Sequence, residues 1–163
     1  MRRLLLVAAL ILVADLVTKI VVNNQLPLHG QAVPVIGDFV QWMHVKNRGS
    51  AFGIFQGGRY FFIAFSIVSI ALIGLLASTP RYRSPRFAVC LGLILGGAFG
   101  NLVDRIAYGA VTDWIDIGIG LTRWPTFNVA DIGISLGVLF LAIFLIWSQT
   151  PEEPKSASGA QGI

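Results

Sequence analysis

Charged side chains are scarce in this chain of 163 residues. Only 12% of the residues are charged, whereas 55% are hydrophobic, and an average soluble domain carries about twice that share of charge. A water-soluble fold of this length cannot hide so much apolar surface, because a sizeable fraction of its residues must face solvent. The composition therefore excludes an ordinary soluble domain and indicates a membrane protein.

Cysteine and histidine are also nearly absent. The single cysteine, Cys90, excludes an intrachain disulfide, and the only histidines are His29 and His44. Serine-type acyl transfer would need a histidine base at the depth of the apolar runs, where there is none. A zinc site would need three or four ligands at motif spacing, and no such pattern occurs. We expect neither a metal nor another cofactor.

The formal net charge of +4 does not indicate a nucleic-acid partner. The twelve lysines and arginines are scattered or lie at the ends of apolar runs. A nucleic-acid site would show a basic stripe interleaved with aromatic residues, which is missing. We therefore expect no nucleic-acid partner.

Four apolar runs are each close to the ~20 residues that a helix needs to cross a bilayer. They are residues 4–22, 60–78, 87–106 and 130–147. Their length and their lack of alternation exclude strands. The first run continues beyond Asp15 and Lys19 without a clear cleavage site, so we interpret it as a retained helix rather than a signal peptide. We predict an all-α membrane protein with four transmembrane helices.

Basic residues indicate how the helices are oriented. On one side lie Arg2, Arg3, Arg81, Arg83, Arg86 and Lys155, and on the other side lie Lys46, Arg48, Arg59 and Arg123. Cytoplasmic loops carry the excess of positive charge, so the first side is predicted to be cytoplasmic. Both termini are then cytoplasmic and the membrane is crossed four times.

The two longest segments outside the apolar runs differ in character. The outer loop, residues 23–59, is long for a simple connection and alternates apolar residues over 33–45, which predicts short strands at the membrane surface. Residues 151–163 have too few apolar groups to pack and are predicted to form a disordered cytoplasmic tail. We therefore predict one membrane domain over residues 1–150, followed by this tail.

Polar residues of the predicted helices lie at one depth. An ionisable side chain in mid-helix costs about 2.5–3.5 kcal/mol in lipid, so each one needs an explanation. The first and third helices run outward and the fourth runs inward, which brings their polar residues to the outer leaflet together with the loop before the fourth helix. These residues are Asp15, Lys19, Asn101, Asp104, Arg105, Asp113, Asn128 and Asp131.

Each of these groups also has a purely structural interpretation. Asp15 and Lys19 have the spacing of an intrahelical ion pair. Asp104, with the arginine that follows it, can extend toward the lipid headgroups. Asn128 and Asp131 fit an N-cap and the acid three residues after it. Taken singly, these residues do not decide between structure and catalysis.

Glycines recur at every fourth position in the two later helices. They are Gly92, Gly96, Gly100, Gly133 and Gly137. Small residues at this interval let helix backbones approach closely. We predict a tight seam between the third and fourth helices that holds their polar residues together.

Carboxylates are the most plentiful reactive groups in the predicted cluster. Two carboxylates that share one water cannot both ionise readily, so one keeps a proton while the other acts as general base. The protonated partner can polarise a scissile carbonyl. A helix N-terminus favours the ionised form of Asp131, and Asp113 is its natural partner, although spacing alone leaves Asp116 as a competitor.

A transporter or channel, or a structural scaffold, would also contain polar residues within its spans. A conducting path should place polar residues at several depths, but the inner halves of all four predicted helices are nearly uncharged. A scaffold would give Asp113 and Asp131 no shared task. Both alternatives are weaker than a carboxylate enzyme.

Five short motifs occur in order along the chain. They are DLVTK at 15–19, NRGSAFG at 47–53, GGAFGNLVDR at 96–105, VTDW at 111–114 and FNVAD at 127–131. Together they resemble those of the bacterial lipoprotein signal peptidases, the signal peptidase II family. The resemblance extends from the first helix to the fourth and omits only the tail.

The resemblance implies an intramembrane aspartyl endopeptidase of the bacterial inner membrane. Its substrates would be diacylglyceryl-modified prolipoproteins, cut just before the lipidated cysteine near the outer leaflet. By motif position, the catalytic pair would be Asp113 and Asp131, with Asp116 outside the pair. The loop 23–59 would form a small extracytoplasmic β-cradle. We expect the protein to act as a monomer in contact with membrane lipid.

The resemblance also implies a set of residues that bind substrate or shape the site. They are Asp15, Lys19, Asn47, Gly49, Asn101, Asp104, Arg105, Asn128 and Ala130.

Overall fold

The computed structural model describes residues 1–49 and 58–147. Its helices are α1 (Arg2–Gln25), α2 (Arg59–Ser78), α3 (Pro85–Tyr108) and α4 (Val129–Trp147). All four are long and apolar enough to cross a membrane. The predicted fold class is therefore confirmed, and each predicted run lies within one of these helices.

Two sequence predictions fall wholly or partly outside the described residues. The predicted tail, residues 151–163, lies outside them, as do the last residues of the predicted membrane domain. Residues 50–57 of the outer loop also lie outside, and these include the end of the NRGSAFG motif.

The described residues also form a four-stranded antiparallel sheet beside the ends of the helices. Its strands are β1 (Val33–Ile36), β2 (Val40–Asn47), β3 (Val111–Ile119) and β4 (Thr122–Arg123), in the order β1-β2-β3-β4. The first two strands confirm the strands predicted in the outer loop.

The other two strands correct the sequence analysis, which placed Asp113 in a short loop. Asp113 lies on β3, paired with Val45 of β2. The segment VTDWIDIGI contains two aspartates and a glycine, which are depleted in strands. Pairing with β2, more than 60 positions earlier in the chain, stabilises this strand where local preference does not.

The end of α3 determines where β3 begins. Gly109 has a φ of 68° and donates its N–H to the carbonyl of Arg105 at 3.1 Å. This left-handed conformation closes a helix and is readily adopted by glycine. The chain can therefore leave α3 sharply and begin β3 at Val111, which brings Asp113 close to the helix end.

Helix α3 is the centre of the bundle, and its glycines face two neighbours. A Cβ on Gly92 would lie 2.7 Å from the carbonyl oxygen of Leu4, and one on Gly96 would lie 2.5 Å from that of Ala8. These two glycines therefore contact α1, and the prediction that they line α4 is wrong. A repeat of four residues identifies a small face without identifying the helix that packs on it.

The close approach of α3 and α4 depends on other glycines. A Cβ on Gly97 would collide with the carbonyl oxygen of Ala130. On α4, a Cβ on Gly137 would lie 2.8 Å from the carbonyl oxygen of Cys90, and one on Gly133 would lie 3.1 Å from that of Leu93. The predicted contact between the two helices is therefore present, with Gly97 at the end nearest the polar cluster.

We expect Gly97→Ala to lower the free energy of unfolding by about 1–3 kcal/mol, the usual cost of overpacking. The added methyl group would push the start of α4 away from α3, so any activity of the predicted site should fall as well. Thermal unfolding in detergent measures the first effect. Gly74→Ala on α2 is the matched control because a Cβ there has no neighbour within 4 Å. Equal stability of the two variants would contradict this packing.

Candidate active site

A buried polar cluster lies where α1, α3, α4 and β3 meet. Its most buried members are Asp15, Lys19, Asn101, Asp104, Asp113 and Asn128, each less exposed than 5%. Asp131 and Asn47 are half-buried at its edge. The structure thus brings together side chains that are up to 116 positions apart in the sequence.

Asp113 is held by two amide side chains. Asn47 donates from Nδ2 to Oδ2 of Asp113 at 3.0 Å, and Asn128 donates from Nδ2 to Oδ1 at 2.7 Å. Burial raises the pKa of Asp113 to about 7, and the charge of Asp131 adds to this effect. The two amide hydrogen bonds partly offset the increase in pKa because they stabilise the carboxylate.

Asp131 is positioned by the N-terminus of α4. Its N–H donates to Oδ1 of Asn128 at 3.0 Å, and the N–H of Asn128 donates to its Oδ2 at 3.2 Å. This reciprocal pair is the predicted cap. The other oxygen of Asp131, Oδ1, accepts a hydrogen bond from Nδ2 of Asn101 at 2.8 Å. The cap therefore aims the carboxylate into the cluster, and the structural role of the pair does not exclude a chemical one.

Lys19 is a buried cation within this network. Its ammonium lies 2.7 Å from Asp15, which confirms the predicted intrahelical ion pair, and 3.3 Å from Asp104. It also donates to Oδ1 of Asn101 at 3.2 Å. The alternative that Asp104 extends to the headgroups is wrong, because its carboxylate is buried against α1 and accepts the N–H of Thr112 at 2.7 Å.

The remaining predicted site residues lie around the two acids. Oδ1 of Asn47 accepts the N–H of Gly49 at 2.9 Å, which leaves its NH₂ group facing Asp113. The guanidinium of Arg105 lies over the ring of Phe62, 5.1 Å from the ring centre. Ala130 is fully buried against α3.

Asp116 makes a separate ion pair. Its Oδ2 lies 2.6 Å from Nη2 of Arg123 and accepts a second hydrogen bond from Nε at 3.0 Å. Asp113 and Asp116 are three residues apart on one strand, so their side chains point to opposite faces. The face that carries Asp116 is turned away from the polar cluster.

Two further basic residues near the site were used in the sequence analysis only to orient the helices. Lys46 donates to Oγ1 of Thr112 at 2.7 Å and to Oδ1 of Asn23 at 2.9 Å. Arg59 donates to the carbonyl oxygens of Arg105 and Ile106 at the end of α3. The position of Lys46 directly before the NRGSAFG motif was the available signal. For Arg59 there was no signal in the sequence of a role near the site beyond its position at the start of α2.

Two cavities meet at the cluster. One, of about 470 Å³, lies between the sheet and α4, and both Asp113 and Asp131 line it. The other, of about 250 Å³, lies between α2, α3 and α4, where apolar residues such as Phe62 and Phe65 and polar residues such as Ser66 and Ser69 both line it. Asp131, Asn101 and Arg105 border both cavities. Among the described residues, no group of three or more metal-binding side chains occurs.

Comparison with known proteins identifies the family. The family model described as signal peptidase (SPase) II matches residues 7–147. The lipoprotein signal peptidase of Syntrophus aciditrophicus (strain SB) is 39% identical over 150 residues, covering 89% of this chain and 92% of the relative. That of Mycobacterium avium (strain 104) is 41% identical over 153 residues, covering 90% and 80%.

Solved structures agree with the sequence comparison. A bacterial membrane enzyme structure obtained by the in meso method at 2.3 Å resolution superposes with a TM-score of 0.84. It is 28% identical and covers 93% of this chain and 94% of the solved one. The family match spans all four helices and both acids that line the larger cavity. The chain therefore belongs to the signal peptidase II family, and is a membrane peptidase with four spans.

Proposed function

We propose that this peptidase is an aspartyl endopeptidase that removes the signal peptide from diacylglyceryl-modified prolipoproteins, cutting just before the lipidated cysteine. The observation that carries the proposal is that Asp113 and Asp131 line one cavity. The charge of Asp131 also contributes to the raised pKa of Asp113, about 7. Two acids that share one proton at neutral pH are the arrangement that an aspartyl mechanism needs.

The two carboxylates have different surroundings, which suggests different roles. Asp131 lies at a helix N-terminus, where the helix dipole favours the anion. It would take a proton from a water molecule while the water oxygen attacks the scissile carbonyl carbon. Asp113, protonated, would donate its proton to the carbonyl oxygen. The proton held by Asp131 would then pass to the leaving nitrogen as the C–N bond breaks, and the collapsing diol would return a proton to Asp113.

The amide side chains hold these acids in place. Asn47 and Asn128 bind the two oxygens of Asp113, and Asn101 binds Asp131. Arg105 borders both cavities and is available to a substrate carbonyl or lipid oxygen. Gly49 keeps the amide of Asn47 oriented. These are the proposed roles of the site-shaping residues.

The two cavities suggest how a lipid-modified peptide is held. The larger cavity lies beside β3, where an extended peptide can lie along the sheet. The smaller one lies between three membrane-spanning helices and most of its surface is apolar, which suits an acyl chain. Because Asp131 borders both, the cut would fall close to the lipidated residue. Relatives named lipoprotein signal peptidases support this choice of substrate.

The distribution of arginines supports the proposed location. We propose an enzyme of the bacterial inner membrane with both termini in the cytoplasm and the site near the outer leaflet. The sheet would then be the extracytoplasmic cradle. We further propose a monomer in contact with membrane lipid, with residues 1–150 as one domain and 151–163 as its tail.

Activity should fall as pH rises through about 7, the pKa of Asp113. Below this pH Asp113 keeps the proton that it donates, whereas above it both acids are charged and no donor remains. Asn47→Ala removes a hydrogen bond that lowers this pKa. The alkaline limb of the profile of kcat/KM against pH should therefore move to higher pH in that variant. An unchanged limb would contradict the assignment of Asp113 as the proton donor.

The proposed function is tested by incubating the purified protein with a diacylglyceryl-modified precursor and with the same precursor lacking the lipid. We expect cleavage of the lipidated form alone, with a product that begins at the modified cysteine when analysed by mass spectrometry. Equal cleavage of both forms would rule out the proposed substrate. Inhibition by a metal chelator would contradict the aspartyl mechanism.

A further inference from the structure

We infer that Lys19 is the positioning residue that holds both carboxylates of the proposed site, an inference that rests on the proposed aspartyl mechanism. Its side chain is 2% exposed and borders neither cavity. The ammonium has three N–H donors and three oxygen neighbours, one each from Asp15, Asn101 and Asp104. Each of these neighbours leads to one of the two acids or to the residue directly before it.

The first connection leads to Asp131. Oδ1 of Asn101 accepts from both Lys19 and Asn128, at 3.2 Å each. If the side-chain amide of Asn101 were rotated by 180°, its NH₂ group would face these two donors. The NH₂ group of Asn101 is therefore directed at Asp131 instead. The ammonium, together with the amide of Asn128, therefore fixes Asn101 so that Asp131 receives a hydrogen-bond donor rather than a second acceptor.

The second connection leads to Asp113. Oδ2 of Asp104 lies 3.3 Å from the ammonium and also accepts the backbone N–H of Thr112 at 2.7 Å. Thr112 is fully buried and directly precedes Asp113 on β3. The hydrogen bond to Asp104 thus determines where β3 lies along α3, and therefore where Asp113 lies.

The third connection leads to the first turn of α4. Oδ2 of Asp15 lies 2.7 Å from Lys19, while Oδ1 accepts the backbone N–H of Ala130 at 2.9 Å. A Cβ on Gly100 would collide with the carboxylate of Asp15, so the glycine at this position makes the contact possible. Asp131 follows Ala130 directly, and α1 therefore fixes the helix start that carries it.

A simpler role for Lys19 is charge balance, because an unpaired carboxylate is costly in lipid. The two roles differ in which property of Lys19 a variant must keep in order to remain active. Charge balance requires only the correct total charge among Asp15, Lys19 and Asp104. Positioning requires the N–H donors of Lys19, since these orient Asn101 and hold Asp104.

The test compares Lys19→Met with the double variant Lys19→Met/Asp15→Asn. The double variant restores the formal charge of the trio but not the ammonium donors. We expect it to recover the thermal stability that Lys19→Met loses. In both variants kcat should stay about 100-fold below wild type, as misplaced catalytic groups cause, while KM changes less than about threefold because Lys19 borders neither cavity.

Thr18→Val is the matched control, because the Thr18 hydroxyl donates only to carbonyls of its own helix. It should keep wild-type kcat. Recovery of kcat in the double variant would overturn the inference and leave charge balance as the role of Lys19. So would a wild-type kcat in Lys19→Met.

Asp113→Asn, assayed in parallel, separates this inference from the proposed function. Cleavage of the lipidated precursor by Asp113→Asn would refute the aspartyl mechanism itself. An inactive Asp113→Asn together with a fully active Lys19→Met would refute the positioning role alone.

Discussion

Replacement of Asp113 or Asp131 by asparagine should lower the rate of cleavage of a lipidated precursor by about 10³-fold or more, the contribution of positioned acid–base groups. Asparagine has nearly the same shape as aspartate, so each variant should fold and insert in the membrane. Neither can then take a proton from water or exchange one with its partner. Single-turnover assays with purified protein measure the loss.

Asp116→Asn is the matched control for these variants. Asp116 is as buried as Asp113 and is carried by the same strand, but its carboxylate is paired with Arg123. We expect its activity to stay within a few-fold of wild type, with some loss of stability from the weakened ion pair. An inactive Asp116→Asn together with an active Asp113→Asn would show that Asp116, and not Asp113, is the catalytic partner of Asp131.

The same Asp113→Asn variant should also alter the pH dependence of stability. The folded state raises the pKa of Asp113 from 3.8 to about 7, so it binds this proton more tightly than the unfolded chain does. The contribution of Asp113 to stability therefore decreases as pH rises across that interval, and is lowest above it. A neutral amide removes this loss, so the variant should be more stable than wild type above about pH 7.

Asn128→Ser should lower kcat strongly, and it separates the capping of α4 by Asn128 from the hydrogen bond that Asn128 donates to Asp113. Serine caps a helix about as well as asparagine, so α4 should lose little stability. It cannot supply the amide NH₂ that binds Asp113 at 2.7 Å and Asn101 at 3.2 Å. We expect kcat to fall about 100-fold, because the orientation of the acids is lost.

Thermal unfolding and kcat must be measured on the same preparation of Asn128→Ser, with Asn128→Ala as the comparison. Alanine removes both the cap and the amide, so it should add an instability of about 1 kcal/mol to the same loss of activity. Wild-type activity in the serine variant would show that Asn128 only caps the helix.

The spans were predictable from the sequence because each depends on local composition alone. A run of about 20 apolar residues has few alternatives to a membrane-spanning helix. The strands β1 and β2 were predictable for a similar reason, since the alternation of apolar residues over 33–45 is a local pattern.

Strand β3 could not be predicted in the same way. Its sequence contains residues that disfavour strands, and it forms because Val111–Ile119 pairs with a partner strand from the first outer loop. The prediction of which helix packs on the glycines of α3 was wrong for a related reason. The spacing of Gly92 and Gly96 shows a small surface on α3, but whether α1 or α4 covers it depends on the whole bundle.

The residues of the proposed site were predictable, but apart from the Asp15–Lys19 ion pair and the Asn128–Asp131 cap their connections were not. Motif positions indicated Asp113 and Asp131, and the helix directions brought the acids to one depth. The contact between Lys19 and Asn101 joins residues 82 positions apart, and local spacing indicated only the pair of Lys19 with Asp15. The role inferred for Lys19 therefore depends on the three-dimensional structure.

The central claim is that Asp113 keeps its proton close to neutral pH in the cavity that it lines with Asp131, and infrared difference spectroscopy of the carboxyl groups during a pH titration tests it most directly. We expect wild type to show a protonated carboxyl band that disappears with a midpoint at about 7, and Asp113→Asn to lack that band. A band that persists in Asp113→Asn, or the absence of any protonated carboxyl below this midpoint in wild type, would contradict the claim.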